Sequence, residues 1–185
     1  EADILSGLPN LIIVGLPDHA VRESRERIRS AIVNSGFIFP ARQIVINLSP
    51  NDTPKEGGLM EAAMAVAILV ASGQLPQEKF RDTAILASLS LDGSLQTARG
   101  IAAAAVFAAA RKQVHNLVIP APASCEITTP TGVEVFALPH LSDAAAYACG
   151  QCQPREHHAY AAETEYPEIT LEQIFGLSAA KRALA

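Results

Sequence analysis

The stretch Thr53-Pro54-Lys55-Glu56-Gly57-Gly58 decides how this chain folds. It follows the strand-like run at residues 42–48 and opens directly into the apolar, alanine-rich residues 59–71. A charged, glycine-bearing turn between a strand and a buried helix is where α/β proteins often place binding or catalytic groups. Two readings of Lys55, Glu56, Gly57 and Gly58 stand side by side: a solvated loop with a glycine helix start, or an active-site loop, working or vestigial. A nucleotide phosphate loop is excluded here, because Gly57-Gly58 is followed by Leu59 and Met60 rather than by Lys and Ser or Thr.

Working outward, residues 10–16 form an apolar strand, and Gly15-Leu16-Pro17-Asp18 supplies a turn whose Asp18 is placed to cap a helix. Val21, Ser24, Ile28, Ala31, Ile32 and Ser35 recur at helical spacing until Gly36 ends the helix. Strand, helix, strand, helix is an α/β beginning. Further on, residues 83–91 and 94–97 flank Asp92-Gly93, a strong hairpin signal. Gly100 opens a second alanine-rich helix that ends near Lys112, residues 116–119 and 133–138 are short strands, and short helices follow Pro120 and Pro139. The expected sheet is therefore mixed. Residues 151–167, with His157 and His158, lack apolar periodicity and read as a linker, whereas residues 169–185 regain helix-forming character and read as the start of another, truncated domain.

Composition narrows the function classes. With 185 residues, 49% hydrophobic and 18% charged, the chain carries enough apolar side chain for one well-filled domain. Fourteen Lys and Arg against nineteen Asp and Glu give a net charge of -5, which argues against a generally basic, duplex-binding surface. The apolar runs at residues 62–71 and 101–110 are too short to span a bilayer and read as buried helices, so no membrane association is expected. Cys125, Cys149 and Cys152 make no disulfide framework, and with no secretory signal in view they point to a reducing, cytoplasmic setting.

Outside the loop, Arg22, Arg25 and Arg29 share one side of the first helix. With Glu23 and Glu26 three or four residues from arginines they form either a solvated, salt-bridged face or a docking face for another subunit or for nucleic-acid phosphate. Cys149-x-x-Cys152 followed by His157-His158 has thiolate spacing compatible with zinc. Adjacent histidines cannot readily share one tetrahedral site, so no metal is expected. His19, His115 and His140 are isolated and read as surface or capping residues.

Several segments then combine: Gly7-Leu8-Pro9, Val14-Gly15-Leu16-Pro17-Asp18, Val21-Arg22-Glu23-Ser24-Arg25-Glu26-Arg27, Asn34-Ser35-Gly36-Phe37, Asn47-Leu48-Ser49-Pro50, Pro54-Lys55-Glu56-Gly57, Leu89-Ser90-Leu91-Asp92-Gly93 and Arg99-Gly100. Through them residues 1–150 resemble the N-terminal domain of the magnesium chelatase-like AAA+ ATPases of the YifB/ComM competence family. Residues 168–185, with Gly176 and Ala180-Lys181-Arg182-Ala183-Leu184, are similar to the entry of the ATPase domain. The resemblance implies a two-layer α/β fold, a mixed sheet with helices, shared with the Lon proteolytic domain and the RadA C-terminal domain, its first strand truncated ahead of Glu1. It places Leu59 where Lon has its nucleophilic serine and Ala102 where Lon has its catalytic lysine, and neither side chain can attack or transfer a proton. Ser49, Ser88, Ser90 and Ser94 lie nearby without an obvious base, and Lys55 is the nearest lysine. The implied role is a non-catalytic assembly or DNA-handling domain of a homo-hexameric, DNA branch-migration motor, its partners being its own AAA+ domain, the other subunits and DNA. This fragment then needs no cofactor, and ATP and Mg belong to the ATPase domain. Two alternatives stay open: a Lon-like serine peptidase with an unrecognised nucleophile, and a pure protein-interaction module.

Overall fold

In the computed structural model, residues 1–55, 57–125, 127 and 132–155 are described. Three short strands rich in isoleucine and valine start the fold: β1 (Ala2–Leu5), β2 (Asn10–Val14) and β3 (Gln43–Asn47). Their order is β1-β3-β2, with β1 antiparallel and β2 parallel to β3. A parallel pair needs a crossover, and α1 (His19–Asn34) supplies it. As the spacing predicts, Asp18 caps this helix by accepting the Val21 N–H at 2.7 Å, and Val21, Ser24, Ile28, Ala31 and Ile32 are its buried stripe. Gly36, at φ +83°, turns the chain away after the helix.

A 3-10 turn at Gly58–Met60 leads into α2 (Glu61–Ala71). The expected strand over residues 83–91 divides. Its first part, β4 (Thr83–Ile85), enters a sheet, and its last part, β5 (Ser88–Leu89), pairs with β6 (Leu95–Gln96) across the Asp92-Gly93 turn. The break has a cause: the Ala87 N–H donates to Leu59 O at 3.0 Å and the Ala87 carbonyl accepts from Ala62 N at 3.1 Å, so the backbone there serves the start of α2 instead of a ladder. After α3 (Ile101–Ala109) come β7 (Asn116–Pro120), β8 (Glu134–Leu138) and α4 (Asp143–Ala148). The second sheet, β4-β7-β8, is wholly parallel. A mixed sheet is thus present in the first half, while the second half departs from that expectation.

One apolar cluster joins the inward faces of both three-stranded sheets, through Ile4, Leu11, Ile44 and Ile46 on one and Ile85, Val118, Phe136 and Leu138 on the other, to α1, α2 and α4. Because strand side chains alternate, Leu117, Ile119, Val135 and Ala137 point to the opposite face, where they form a second cluster with Ile101, Ala105 and Ala109 of α3. The two-layer expectation therefore holds over the first sheet and gives way to three layers over the second.

The reading of residues 101–110 as a buried helix is also corrected. Only Ile101, Ala105 and Ala109 of α3 are buried, and Val106 and Phe107 are 51% and 64% exposed. A helix apolar all round carries no polar face to mark its outer side. The Arg111 guanidinium, 4.5 Å above the Phe107 ring, covers part of that surface. The remainder of the expected linker, beyond residue 155, and the expected ATPase entry lie outside the described residues.

Candidate functional site

The Lys55 loop is held against the Gly15-to-Asp18 turn by backbone pairing: the Asp18 N–H donates to Lys55 O at 3.0 Å, and the Lys55 N–H to Leu16 O at 3.1 Å. Asp18 therefore has two tasks. One carboxylate oxygen caps α1, and the other accepts the Gly57 N–H at 3.3 Å, tying the loop to the helix start. The turn beneath is tight. Gly15 has φ +98°, and a Cβ there would sit 2.1 Å from the Leu48 carbonyl oxygen, so only glycine lets these two backbones approach. The Lys55 ammonium is turned back onto its own loop, donating to the carbonyls of Pro50 and Thr53. Gly57, exposed at φ +80°, lets the chain reverse into the 3-10 turn. Glu56 lies outside the described residues.

Beneath the loop is a constellation that sequence reading missed. Glu61, the first residue of α2, is a buried carboxylate. Its Oε1 accepts from Arg27 Nη2 at 2.6 Å and Nε at 3.2 Å; its Oε2 accepts from Ser88 Oγ at 2.9 Å and the Leu89 N–H at 2.8 Å. Four donors satisfy it, as a buried charge requires, and they come from α1 and β5. The Glu61 hydrogen bond and charge hold the Arg27 guanidinium above its ordinary pKa, against the opposing effect of burial. The signal available in the sequence was a lone acid at the head of an otherwise apolar helix. Ser88 thus does have a carboxylate partner, contrary to the reading of the nearby serines, but that carboxylate is already held by Arg27. Gly58 fits closely against this group, since a Cβ would lie 3.0 Å from Ser88 Oγ.

The two positions matched to the Lon dyad fall around the second apolar cluster: Leu59 packs against it, and Ala102 follows its member Ile101 with an exposed side chain. Neither Leu nor Ala offers an atom for acid–base or nucleophilic chemistry. Arg22, Arg25 and Arg29 are all exposed on α1. The expected Glu–Arg pairs along that helix do not form among the described residues. Glu23 lies 3.4 Å from His19, Arg27 turns to Glu61, the Arg25 Nε donates to Arg22 O at 3.0 Å, and Arg29 stacks 5.2 Å above the Phe39 ring. Arg25 and Arg29 also line a small polar cleft of about 280 Å³ with Asn10 and Glu26.

Histidines and cysteines take modest roles. His140 bridges the hairpin to α4, with Nε2 2.8 Å from Asp92 O and Nδ1 2.9 Å from Ser142 Oγ. His115 lies 3.6 Å from Asp82. Cys149 and Cys152 are free thiols; Cys149 is exposed, and burial, with the Asp143 charge behind it, pushes the Cys152 thiol pKa up. No three His, Cys, Asp or Glu side chains gather as a metal site among the described residues, and His157 and His158 fall outside them. No helix among these residues is long and apolar enough to cross a membrane.

Comparison with known proteins is consistent with this frame. The family described as subunit ChlI of Mg-chelatase matches residues 1–123. The uncharacterized protein YifB of Salmonella typhimurium is 34% identical over 184 residues, covering 100% of this chain and 36% of YifB. The uncharacterized protein Rv2897c of Mycobacterium tuberculosis is 35% identical with the same coverage. The competence protein ComM of Haemophilus influenzae is 34% identical over 151 residues, 82% of this chain and 29% of ComM. The chain spans little more than a third of the length of the relatives it matches over its whole extent. With the ChlI match covering two thirds of its residues, this chain belongs to the magnesium chelatase-like YifB/ComM family.

Proposed function

We propose that this chain is a non-catalytic assembly or DNA-handling domain of a larger, ring-forming AAA+ ATPase, with ATP and Mg bound by a separate ATPase domain. The observation that carries the reading is the state of the loop that would have held the chemistry. Its lysine is spent on loop carbonyls, its serine-equivalent position is Leu59, and the nearby Ser88 donates to a carboxylate already paired with Arg27. A working nucleophile needs a base free to take its proton. The exposed Arg22, Arg25 and Arg29 are the surface offered for subunit or phosphate contact. The cytoplasm is the matching compartment.

The experiment compares wild-type full-length protein with Arg22→Ala/Arg25→Ala/Arg29→Ala for ring assembly and for single-stranded DNA binding across a salt series. If all three arginines meet phosphate, the slope of log affinity against log salt falls by about 2. Unchanged assembly together with unchanged DNA affinity removes α1 from the proposal. The isolated chain is expected neither to turn over ATP nor to cleave casein, and robust turnover of either overturns the reading. A pure protein-interaction module is the second reading, favoured by the net charge of -5 and by the exposed Val106 and Phe107.

A further inference from the structure

α3 is apolar at every position, and the second sheet covers only one side of it. Ala103, Val106, Phe107 and Ala110 recur at i, i+3, i+4 and i+7, on the side opposite Ile101, Ala105 and Ala109, and all four are exposed. A contiguous apolar helix face of this kind marks a place where something docks. Cations frame it. Arg99 precedes the helix and Arg111 and Lys112 follow it, all three exposed, and among the described residues none of them makes an ion pair.

A complementary patch lies across the molecule. Leu91, in the turn of the β5-β6 hairpin, is 58% exposed, and Val33 on α1 is 54% exposed. The Asn34 side-chain amide donates to Leu91 O at 2.7 Å and holds the two elements side by side. Here the frame is acidic. Asp92 follows Leu91, and His140 brings Asp143 to the same corner: its Nε2 lies 2.8 Å from Asp92 O, and its backbone N–H donates to Asp143 Oδ2 at 3.1 Å. Neither carboxylate makes an ion pair among the described residues. The Ser94 N–H and hydroxyl hold the Asp92 pKa below the ordinary carboxylate value, so its charge persists. Arg29, one turn before Val33, is drawn aside onto the Phe39 ring. Because α1 packs with the cluster on one face of the second sheet and α3 with the cluster on the other, the two patches point in opposite directions.

We propose that the exposed face of α3 docks on the Leu91 hairpin of a second copy of this chain, with Val106 and Phe107 against Leu91 and Val33, and the cations at the helix ends meeting Asp92 and Asp143. Charge and apolar surface are matched across this contact, which is what suppresses wrong pairings. Pairing α3 with α3 would instead bring one set of cations onto another. Since the two patches differ and face opposite ways, each copy uses α3 toward one neighbour and the hairpin toward the next. A head-to-tail contact of this kind forms a ring where its rotation closes. The inference rests on the ring-forming reading given above and deepens it by naming the two surfaces that meet.

The test is the assembly of full-length protein with ATP and Mg, followed by sedimentation velocity over a concentration series. Phe107→Glu sets a carboxylate against Asp92, and Leu91→Arg sets a guanidinium against Arg111, so like charges meet at every contact. Each change alone is expected to raise the concentration of half-assembly at least ~10-fold. The two together in one chain place opposite charges face to face and are expected to bring it back to within ~3-fold of wild type. Both positions are exposed, so each variant is expected to keep the wild-type urea midpoint in the 185-residue chain. Assembly indifferent to both single changes overturns the contact and leaves the non-catalytic reading standing. So does loss in both single variants without rescue in the double, which would give α3 to the ATPase domain or to another protein. Wild-type protein that stays monomeric throughout overturns the contact and the ring together.

Discussion

Arg27→Met is the substitution whose consequence follows most directly from the geometry. It removes the two donors on Glu61 Oε1 while the carboxylate stays buried, its side chain 2% exposed, with only Ser88 and Leu89 left on Oε2. Stranding a buried charge in this way costs about 3–5 kcal/mol. The Arg27 side chain is 38% exposed, so water can follow it in, and the low end, about 3 kcal/mol, applies. At this chain length that corresponds to a fall in Tm of roughly 6–12 °C. Methionine keeps most of the arginine stem's packing, so the loss reports the charge rather than a cavity.

Urea unfolding of the 185-residue chain, followed by circular dichroism with the m-value checked for constancy, measures it. Glu61→Gln keeps a carbonyl oxygen for Ser88 and Leu89 but turns an amide NH2 toward the guanidinium, at a cost of about 1–2 kcal/mol. Combined with Arg27→Met it no longer faces that charge, so the double variant should lose less than the sum by about 1–3 kcal/mol. A cost for Arg27→Met within about 0.5 kcal/mol of zero, typical of a surface position, or strict additivity in the cycle, would refute the hub.

Three further outcomes are expected. Asp18→Ala removes the α1 cap and the Gly57 tether together, and should cost about 1–2 kcal/mol and speed exchange of the Val21 and Gly57 amides, whereas a loss of stability with Gly57 unaffected would separate the loop from the helix cap. Cys152 should alkylate more slowly than Cys149 at pH 8, read by peptide mass spectrometry, because burial disfavours its thiolate; with the folded pKa raised, its contribution to stability is present below the ordinary thiol value and is lost as pH rises through the raised one. Asp92 has the opposite sign. The Ser94 backbone N–H and then its hydroxyl hold its pKa below the ordinary carboxylate value, so its contribution is present above that value and fades as pH falls through the depressed one, and NMR titration of the hairpin carboxylate should find a midpoint below that of an unstructured aspartate.

Local chemistry was legible where one residue settles the matter without a distant partner. Asp18 precedes a helical stripe and caps it; Asp92-Gly93 separates two apolar runs and turns them; Gly36 follows the last buried position of α1. The strand at residues 83–91 was misjudged because its centre, Ala87, is claimed by Leu59 and Ala62 from an element some 25 residues earlier, and no local propensity encodes that competition. On α3 the reason differs. Each of its residues is apolar, so periodicity carried no information about which side the second sheet would cover.

Arg27 shows how tertiary context overrides a sound local rule. Four residues after Glu23, it satisfies the spacing for a helix-surface ion pair worth a few tenths of a kcal/mol. Glu61, buried at the head of α2, has no water to replace a missing partner, and leaving it unpaired costs several times more. The guanidinium therefore goes to Glu61, and Glu23 is left beside His19. That choice bears on function. With Arg27 on Oε1 and Ser88 and Leu89 on Oε2, the carboxylate under the Pro54-to-Gly58 loop fixes α1, α2 and β5 relative to one another, and the loop above it inherits a rigid base. The same four contacts hold α1, with its exposed Arg22, Arg25 and Arg29, at a constant angle to α2 and β5, which is what the docking face proposed above requires.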